Sequence, residues 1–304
     1  MKAFSSDLFP LDLPEGHPFP MRKYERLRQL LLAEEIVAPE DLRDAPLATT
    51  EELLRVHDAG YVARVDRGEL SDRELRRLGF PWTPALPARA RASVGATLAA
   101  SRAALAEGLG VNLAGGTHHA GADHGSGYCV YNDFAVAAAD LLACGLAGRV
   151  LVLDLDVHQG DGTARLLAGE ARAFTVSLHG RDNFPYRKAA SDLDVALPSG
   201  TGDDAYLDAL DLALGEARRR FGTPHVVLYL AGADPHEEDR FGRLGLTLDG
   251  LRRRDERVAA EFAGRVPVVV AMGGGYGRDV ETVARIHATT VSVLSAAGAR
   301  PPAA

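Results

Sequence analysis

Only two of the 304 residues are cysteine, so Cys129 and Cys144 cannot build the disulfide framework of a small secreted scaffold. Residues 1–7 carry no apolar signal region, and a cytoplasmic protein is expected. No apolar stretch is long and charge-free enough to span a bilayer, because the alanine-rich segments carry Arg or Asp within a few residues. Positive charge is also in deficit. A net charge of −8 argues against nucleic-acid binding, which needs a basic patch or stripe. The clusters Arg218-Arg219-Arg220 and Arg252-Arg253-Arg254 read instead as helix C-terminal or solvated positions. Internal repeats and low-complexity linkers are absent from the sequence as well.

What the chain does have is apolar residues, 46% of the total, ample for a sizeable core. The length suits one large α/β domain, taken as 1–304. From about residue 88, short apolar runs alternate with segments of helical periodicity. Strands are expected at 111–114, 150–154, 173–177, 226–231 and 266–271, and helices at 88–107, 132–144, 163–168, 203–221, 248–263 and 279–297. That alternation predicts a three-layer α/β/α domain around a central, mostly parallel sheet. The first 87 residues are punctuated by prolines and read as loops and helices packed on the domain's edge. The tail Pro301-Pro302-Ala303-Ala304 is expected to fray.

Ligands in such folds sit beyond the carboxyl ends of the strands, and every chemically suggestive motif falls there, in loops from about 115 to 277. His118-His119 follow the first of these strands and Asp154-Leu155-Asp156-Val157-His158 the second. Ser177-Leu178-His179 follow the third, Asp234 the fourth and Gly273-Gly274-Gly275-Tyr276 the fifth. Extended residues alternate faces, so Asp154, Asp156 and His158 can project to one side. Two carboxylates and an imidazole brought together are costly unless compensated, and a divalent cation compensates them. The plainer reading is a pair of solvated aspartates after a buried strand, with Gly160 and Gly162 shaping a turn. The tandem histidines favour a mononuclear metal centre with its own proton-transfer groups.

The segments His118-His119-Ala120, Gly127-Tyr128-Cys129-Val130-Tyr131-Asn132-Asp133, Asp154 through Gly162, Gly232-Ala233-Asp234 and Gly273-Gly274-Gly275-Tyr276 resemble, in order, the signature of zinc-dependent histone deacetylases and their bacterial relatives. The match runs from about His17 to the last helix and implies the arginase/deacetylase-like fold. Residues 238–245 and 254–256 resemble the class IV branch. Carried over by position, the resemblance makes Asp156, His158 and Asp234 the metal ligands. His119 becomes the general base and acid and His118 its electrostatic partner, with Asp161 and Asp154 orienting them. Tyr276 becomes the oxyanion donor. Gly127, Tyr128 and Phe184 line a substrate tunnel, with Pro185 beside it and Tyr128 standing where relatives have phenylalanine. Asp154, Asp156, His158, Ser177 and Leu178 match a K+ or Na+ site. Zinc is the expected metal, with Fe(II) or Co(II) open because two carboxylates and one histidine are hard ligands.

The resemblance implies an acylated lysine in a protein or peptide as substrate, hydrolysed by metal-activated water. Phe241 stands where acetylpolyamine-specialised relatives carry a glutamate, which disfavours polyamines, and the class IV likeness adds long acyl chains as an expectation. Acetylpolyamine or other small-molecule amide hydrolysis is the competing enzyme reading, and an acyl-lysine binding module without turnover is the competing class. The presence of Asp156, His158, Asp234, His118, His119 and Tyr276 together favours an enzyme. A cysteine nucleophile has one candidate, Cys129, whose apolar neighbours point to an inert buried thiol.

Overall fold

The runs Val150–Asp154, Val226–Leu230 and Val268–Ala271 are apolar almost throughout and buried at every position, the pattern of strands covered on both faces. The computed structural model describes residues 1–298. Within them the strands are β1 (Lys2–Ser5), β2 (Leu42–Asp44), β3 (Leu109–Asn112), β4 (Val150–Asp154), β5 (Ala173–Gly180), β6 (Leu193–Leu197), β7 (Val226–Leu230) and β8 (Val268–Ala271). The helices are α1 (Arg22–Ala33), α2 (Thr50–Leu53), α3 (Ala59–Arg67), α4 (Asp72–Leu78), α5 (Ala85–Glu107), α6 (Asp133–Ala143), α7 (Asp161–Leu166), α8 (Asp203–Phe221), α9 (Leu248–Phe262) and α10 (Val280–Gly298). All eight strands form one sheet in the order β2-β1-β3-β8-β7-β4-β5-β6, and every neighbouring pair is parallel.

Period-two alternation sends each strand's side chains into two cores. Leu151, Leu153, Val227, Tyr229, Val268 and Val270 pack with α1, α8, α9 and α10. Val150, Val152, Val226, Leu228, Val269 and Ala271 pack on the other face with α5 and α6, outside which lie α2–α4. Each fully buried Val or Leu contributes roughly 1.5–3 kcal/mol, so either face alone is a substantial hydrophobic layer.

The topology also fixes where a site can form. From β4 the chain turns through α7 to β5 on one side, whereas from the adjacent β7 it turns through α9 to β8 on the other. Exit loops diverging from neighbouring strands leave a crevice at their carboxyl ends, the switch point of an open parallel sheet. Asp156, His158 and Asp234 all lie on these two loops.

Four sequence expectations need correction. The N-terminal region does not merely pack on the edge; it supplies β1 and β2, which join the sheet beside β3. Strand β6 was not expected either. Ser177, Leu178 and His179 lie inside β5 rather than after it, because that strand continues to Gly180. Arg254 is not solvated: it is wholly buried in the middle of α9, paired with Asp255. Arg218, Arg219 and Arg220 do occupy the exposed last turn of α8. Residues 301–304 lie outside the described residues.

Candidate active site

Three side chains converge at the crevice. His158 Nδ1 lies 3.0 Å from Asp156 Oδ1 and 3.1 Å from Asp234 Oδ2, and one donor atom from each residue lies within 4.8 Å of the others. Backbone groups hold the carboxylates in place. Gly274 N–H donates to Asp156 Oδ2 at 2.8 Å, His158 N–H to Asp156 Oδ1 at 2.9 Å, and Val157 N–H to Asp234 Oδ1 at 3.0 Å. All three residues are buried. Burial and repulsion from Asp156 push the Asp234 carboxyl up to about 7.

The set fits a divalent cation. Two buried carboxylates and one imidazole are a hard ligand group, and their mutual repulsion is what a metal ion relieves. The glycines beside them leave the room. A Cβ on Gly274 would lie 1.9 Å from Asp234 Oδ2 and 2.7 Å from Asp156 Oδ2, so only glycine lets the backbone approach this closely.

The tandem histidines sit beside the triad with ring centroids 4.1 Å apart. His118 Nδ1 donates to Asp154 Oδ2 at 2.7 Å and His119 Nδ1 to Asp161 Oδ1 at 2.8 Å. An ionised carboxylate can only accept, so both Nδ1 atoms carry the proton, and a neutral His119 keeps its lone pair on Nε2. The two rings are driven apart electrostatically. Burial lowers His118, but the charges of Asp154 and Asp156 outweigh it and push the ring up to about 9. Burial and the cationic His118 pull His119 down to about 3, against the bond to Asp161. Burial raises Asp161, yet its bonds from His119 and Arg165 hold it down at about 2.

His119, His158 and Tyr276 form the floor of an open groove of about 990 Å³, walled by Gly127, Tyr128, Phe184, Pro185 and Phe241. Phe184 packs edge-on to His119 at 4.9 Å, and Tyr128 lies 5.8 Å from the Tyr276 ring. A Cβ on Gly127, which has φ +53°, would lie 2.7 Å from the His119 ring, so this wall also needs glycine. Burial pushes the Tyr276 phenol well above its ordinary value, with Asp156 and Asp234 adding to the effect, so it stays a neutral O–H donor. The structure therefore gathers the eight expected catalytic and ligand residues with the tunnel residues around one floor. Ser177 and Leu178 lie a strand away on β5, where the register sets Ser177 beside Asp154. Cys129 is buried and its thiol is pushed far up by burial, as expected of an inert cysteine.

Several supporting residues were not expected. Lys23, buried in α1, donates to the Gly273 and Gly275 carbonyls at 3.1 and 3.4 Å and lies 5.4 Å from the Tyr276 ring centroid. Asp133 accepts from the Gly116 and Thr117 amides and from Thr97, shaping the loop into His118. Arg254 Nη1 reaches the Gly232 carbonyl at 2.5 Å, two residues before Asp234. The first and third contacts span 250 and 22 residues, and no local pattern announces them. Asp133 lay within a motif already singled out.

An all-parallel sheet with this carboxylate–imidazole set at its switch point defines an α/β amidohydrolase of the arginase/deacetylase architecture. The chain belongs to the histone deacetylase family, whose Histone deacetylase domain matches residues 17–294. It is 41% identical over 276 residues to an uncharacterized protein of Picosynechococcus sp., covering 90% of this chain and 92% of that one. It is 29% identical over 305 residues to Histone deacetylase 2 of Arabidopsis thaliana, covering 97% of this chain and 78% of that one. The crystal structure of an HDAC homolog from Aquifex aeolicus superposes with a TM-score of 0.82 at 25% identity, covering 97% of this chain and 84% of that one. Among the described residues no helix is long and apolar enough to cross a membrane.

Proposed function

We propose that this chain, as one catalytic domain, hydrolyses the amide of N-acyl-lysine with a zinc ion held by Asp156, His158 and Asp234. The observation that carries the reading is the juxtaposition of that triad with two histidines, each anchored by its own buried carboxylate, on the floor of one aromatic-walled groove. Bound there, the cation supplies Lewis-acid polarisation of the amide carbonyl and acidifies a water molecule.

The chain's own groups do the rest. Neutral His119 takes a proton from the attacking water at Nε2, while Asp161 fixes its tautomer and steadies the imidazolium that results. His118, anchored to Asp154, stands beside it, and burial keeps His119 deprotonated at rest. As the tetrahedral alkoxide develops, the Tyr276 O–H donates to it. Return of the proton from His119 to the departing nitrogen accompanies C–N cleavage, leaving a carboxylic acid and a free lysine amine.

Gly127, Tyr128 and Phe184 form the slot for the lysine stem, an apolar wall that favours a neutral acylated amine over the free ammonium. Phe241, 4.9 Å from the Tyr276 ring, gives a second cationic amine no carboxylate at that position, which favours lysine over polyamine. Asp154, Ser177 and the backbone near Asp156, His158 and Leu178 are proposed to hold K+ or Na+, supported by the β4–β5 register.

The test is acyl release from lysine peptides bearing acetyl to myristoyl chains, with acetylspermidine alongside, before and after chelation and zinc repletion. Chelator-sensitive turnover of the peptides at higher kcat/KM than acetylspermidine is the expected result, and its dependence on chain length defines the acyl preference. Faster acetylspermidine turnover would make this a polyamine enzyme, and metal-loaded protein that binds but never cleaves would make it a reader.

A further inference from the structure

The groove's mouth is lined by Arg76 and Arg77 at the end of α4, Arg165 on α7, Arg187 after β5, and Arg240 and Arg243 after β7. Two aspartates share that lining with the six arginines, which leaves four positive charges in excess. Asp161 is turned inward to His119 at 2.8 Å and to Arg165 at 2.5 Å, while Asp182 accepts from Ser199 Oγ at 2.8 Å. Asp123 lies near Arg77 but outside the lining, hydrogen-bonded to His124 at 2.6 Å. Among the described residues Arg76, Arg77, Arg187, Arg240 and Arg243 have no carboxylate within ion-pair distance. Elsewhere ion pairs neutralise many surface arginines, as at Arg64, Arg172, Arg218 and Arg285.

Arg240 shows that the arrangement is built. Its Nε donates to the Tyr276 carbonyl at 2.6 Å and an Nη to the Pro18 carbonyl at 2.5 Å, and its guanidinium lies 5.7 Å from the Phe241 ring. Neutral partners fix its position without cancelling its charge. A chain of net charge −8 thus rings the entrance to its catalytic floor with a surplus of cations, five of the six arginines being free of ion pairs and drawn from three separate segments.

We propose that this rim selects its substrate by charge: an acyl-lysine flanked by aspartate or glutamate in an acidic polypeptide segment. The inference rests on the acyl-lysine reading above and adds the sequence context. Exposed ion pairs are individually weak, and several acting together on one ligand reach roughly tenfold at low salt. They are screened at about 1 M salt, where the Debye length is about 3 Å.

The experiment compares three peptides carrying the same acyl-lysine, flanked by Asp and Glu, by Ser and Gln, or by Lys and Arg, with the zinc-loaded enzyme. The expected order of kcat/KM is acidic, neutral, basic, with about tenfold between the first two at low salt, carried mainly by KM and shrinking to within about twofold at 1 M NaCl. Arg187→Glu and Arg243→Glu should each compress the acidic-to-basic ratio. Equal kcat/KM for all three peptides at low salt, or a preference for the basic one, overturns the inference while leaving acyl-lysine hydrolysis standing. If none is cleaved, the hydrolytic reading fails, and fluorescence anisotropy of the same peptides then decides the rim: tighter, salt-sensitive binding of the acidic peptide supports it and equal binding overturns it.

Discussion

Replacing Arg254 by methionine tests whether a buried ion pair on α9 supports the site. The guanidinium is wholly buried, with Nε donating to Asp255 Oδ1 at 2.9 Å and Nη1 to the Gly232 carbonyl at 2.5 Å. Asp255 accepts further from Tyr229 Oη at 2.5 Å and Thr290 Oγ1 at 2.7 Å. Arg254→Met leaves those two hydroxyls in place but strands the carboxylate charge, and breaking such a pair costs about 3–5 kcal/mol. The bare Gly232 carbonyl adds about 1 kcal/mol, and the surviving hydroxyl bonds offset part of the total. A loss of about 4 kcal/mol in urea unfolding of the zinc-free protein is expected. Adding Asp255→Asn removes the stranded charge and should restore at least about 1.5 kcal/mol. Because Gly232 lies two residues from Asp234, zinc affinity measured by competition with a chromogenic chelator should also fall about tenfold or more. A single-variant cost under about 1 kcal/mol, or a double variant no more stable than the single, would refute the reasoning.

Three further outcomes are expected. Tyr276→Phe should lower kcat by about 10² to 10³ while zinc content stays at wild-type level; an unchanged rate would remove the oxyanion role. Gly274→Ala places a methyl 1.9 Å from Asp234 Oδ2 and should abolish stoichiometric zinc binding in metal analysis of the purified protein. His57, whose Nδ1 donates to the Gly121 carbonyl and whose Nε2 accepts from Asn132 N–H, is pulled by burial from 6.5 down to about 4. The unfolded chain therefore binds the extra proton between those values, so the stability His57 confers is complete above pH 6.5 and is lost as pH falls toward 4. The advantage of wild type over His57→Gln in urea unfolding should shrink by about 3 kcal/mol across that range, and a pH-independent gap would contradict it.

The central strands and long helices were legible because the strands are continuous apolar runs and the helices carry apolar residues at helical spacing: Val150–Asp154 and Asp203–Phe221 emerge with the expected bounds. The short strands were not. Leu42–Asp44 is a three-residue edge strand ending in two charges, and Leu193–Leu197 is a five-residue strand at the opposite edge that no position but its last buries fully. Lys2–Ser5 has four residues and gains its strand character only from pairing with β2 and β3. At the site, His118, His119, Asp156, His158 and Asp234 were legible because unusual residue types cluster directly after strands. Lys23 and Arg254 were not, since a buried cation in a helix looks like any surface cation until its distant carbonyl or neighbouring carboxylate is known. The six arginines of the groove's mouth were equally hidden, being spread from residue 76 to residue 243 and adjacent only in the folded chain.

Strand β8 sits between β3 and β7, pairing with Leu109–Asn112 on one side and Val227–Leu230 on the other. It is also the last strand among the described residues, and without it the sheet would fall into two separate ladders, β2-β1-β3 and β7-β4-β5-β6. Each presents a bare, apolar edge where β8 belongs, the kind of edge that pairs with other chains. Pairings this far apart in sequence form slowly, because long loops must close before the contacts reward them. Residues 268–271 thus join the two halves of the sheet, and a chain ending before them would leave both edges bare and the groove floor incomplete, since Tyr276 and the glycines beside Asp156 come only afterwards.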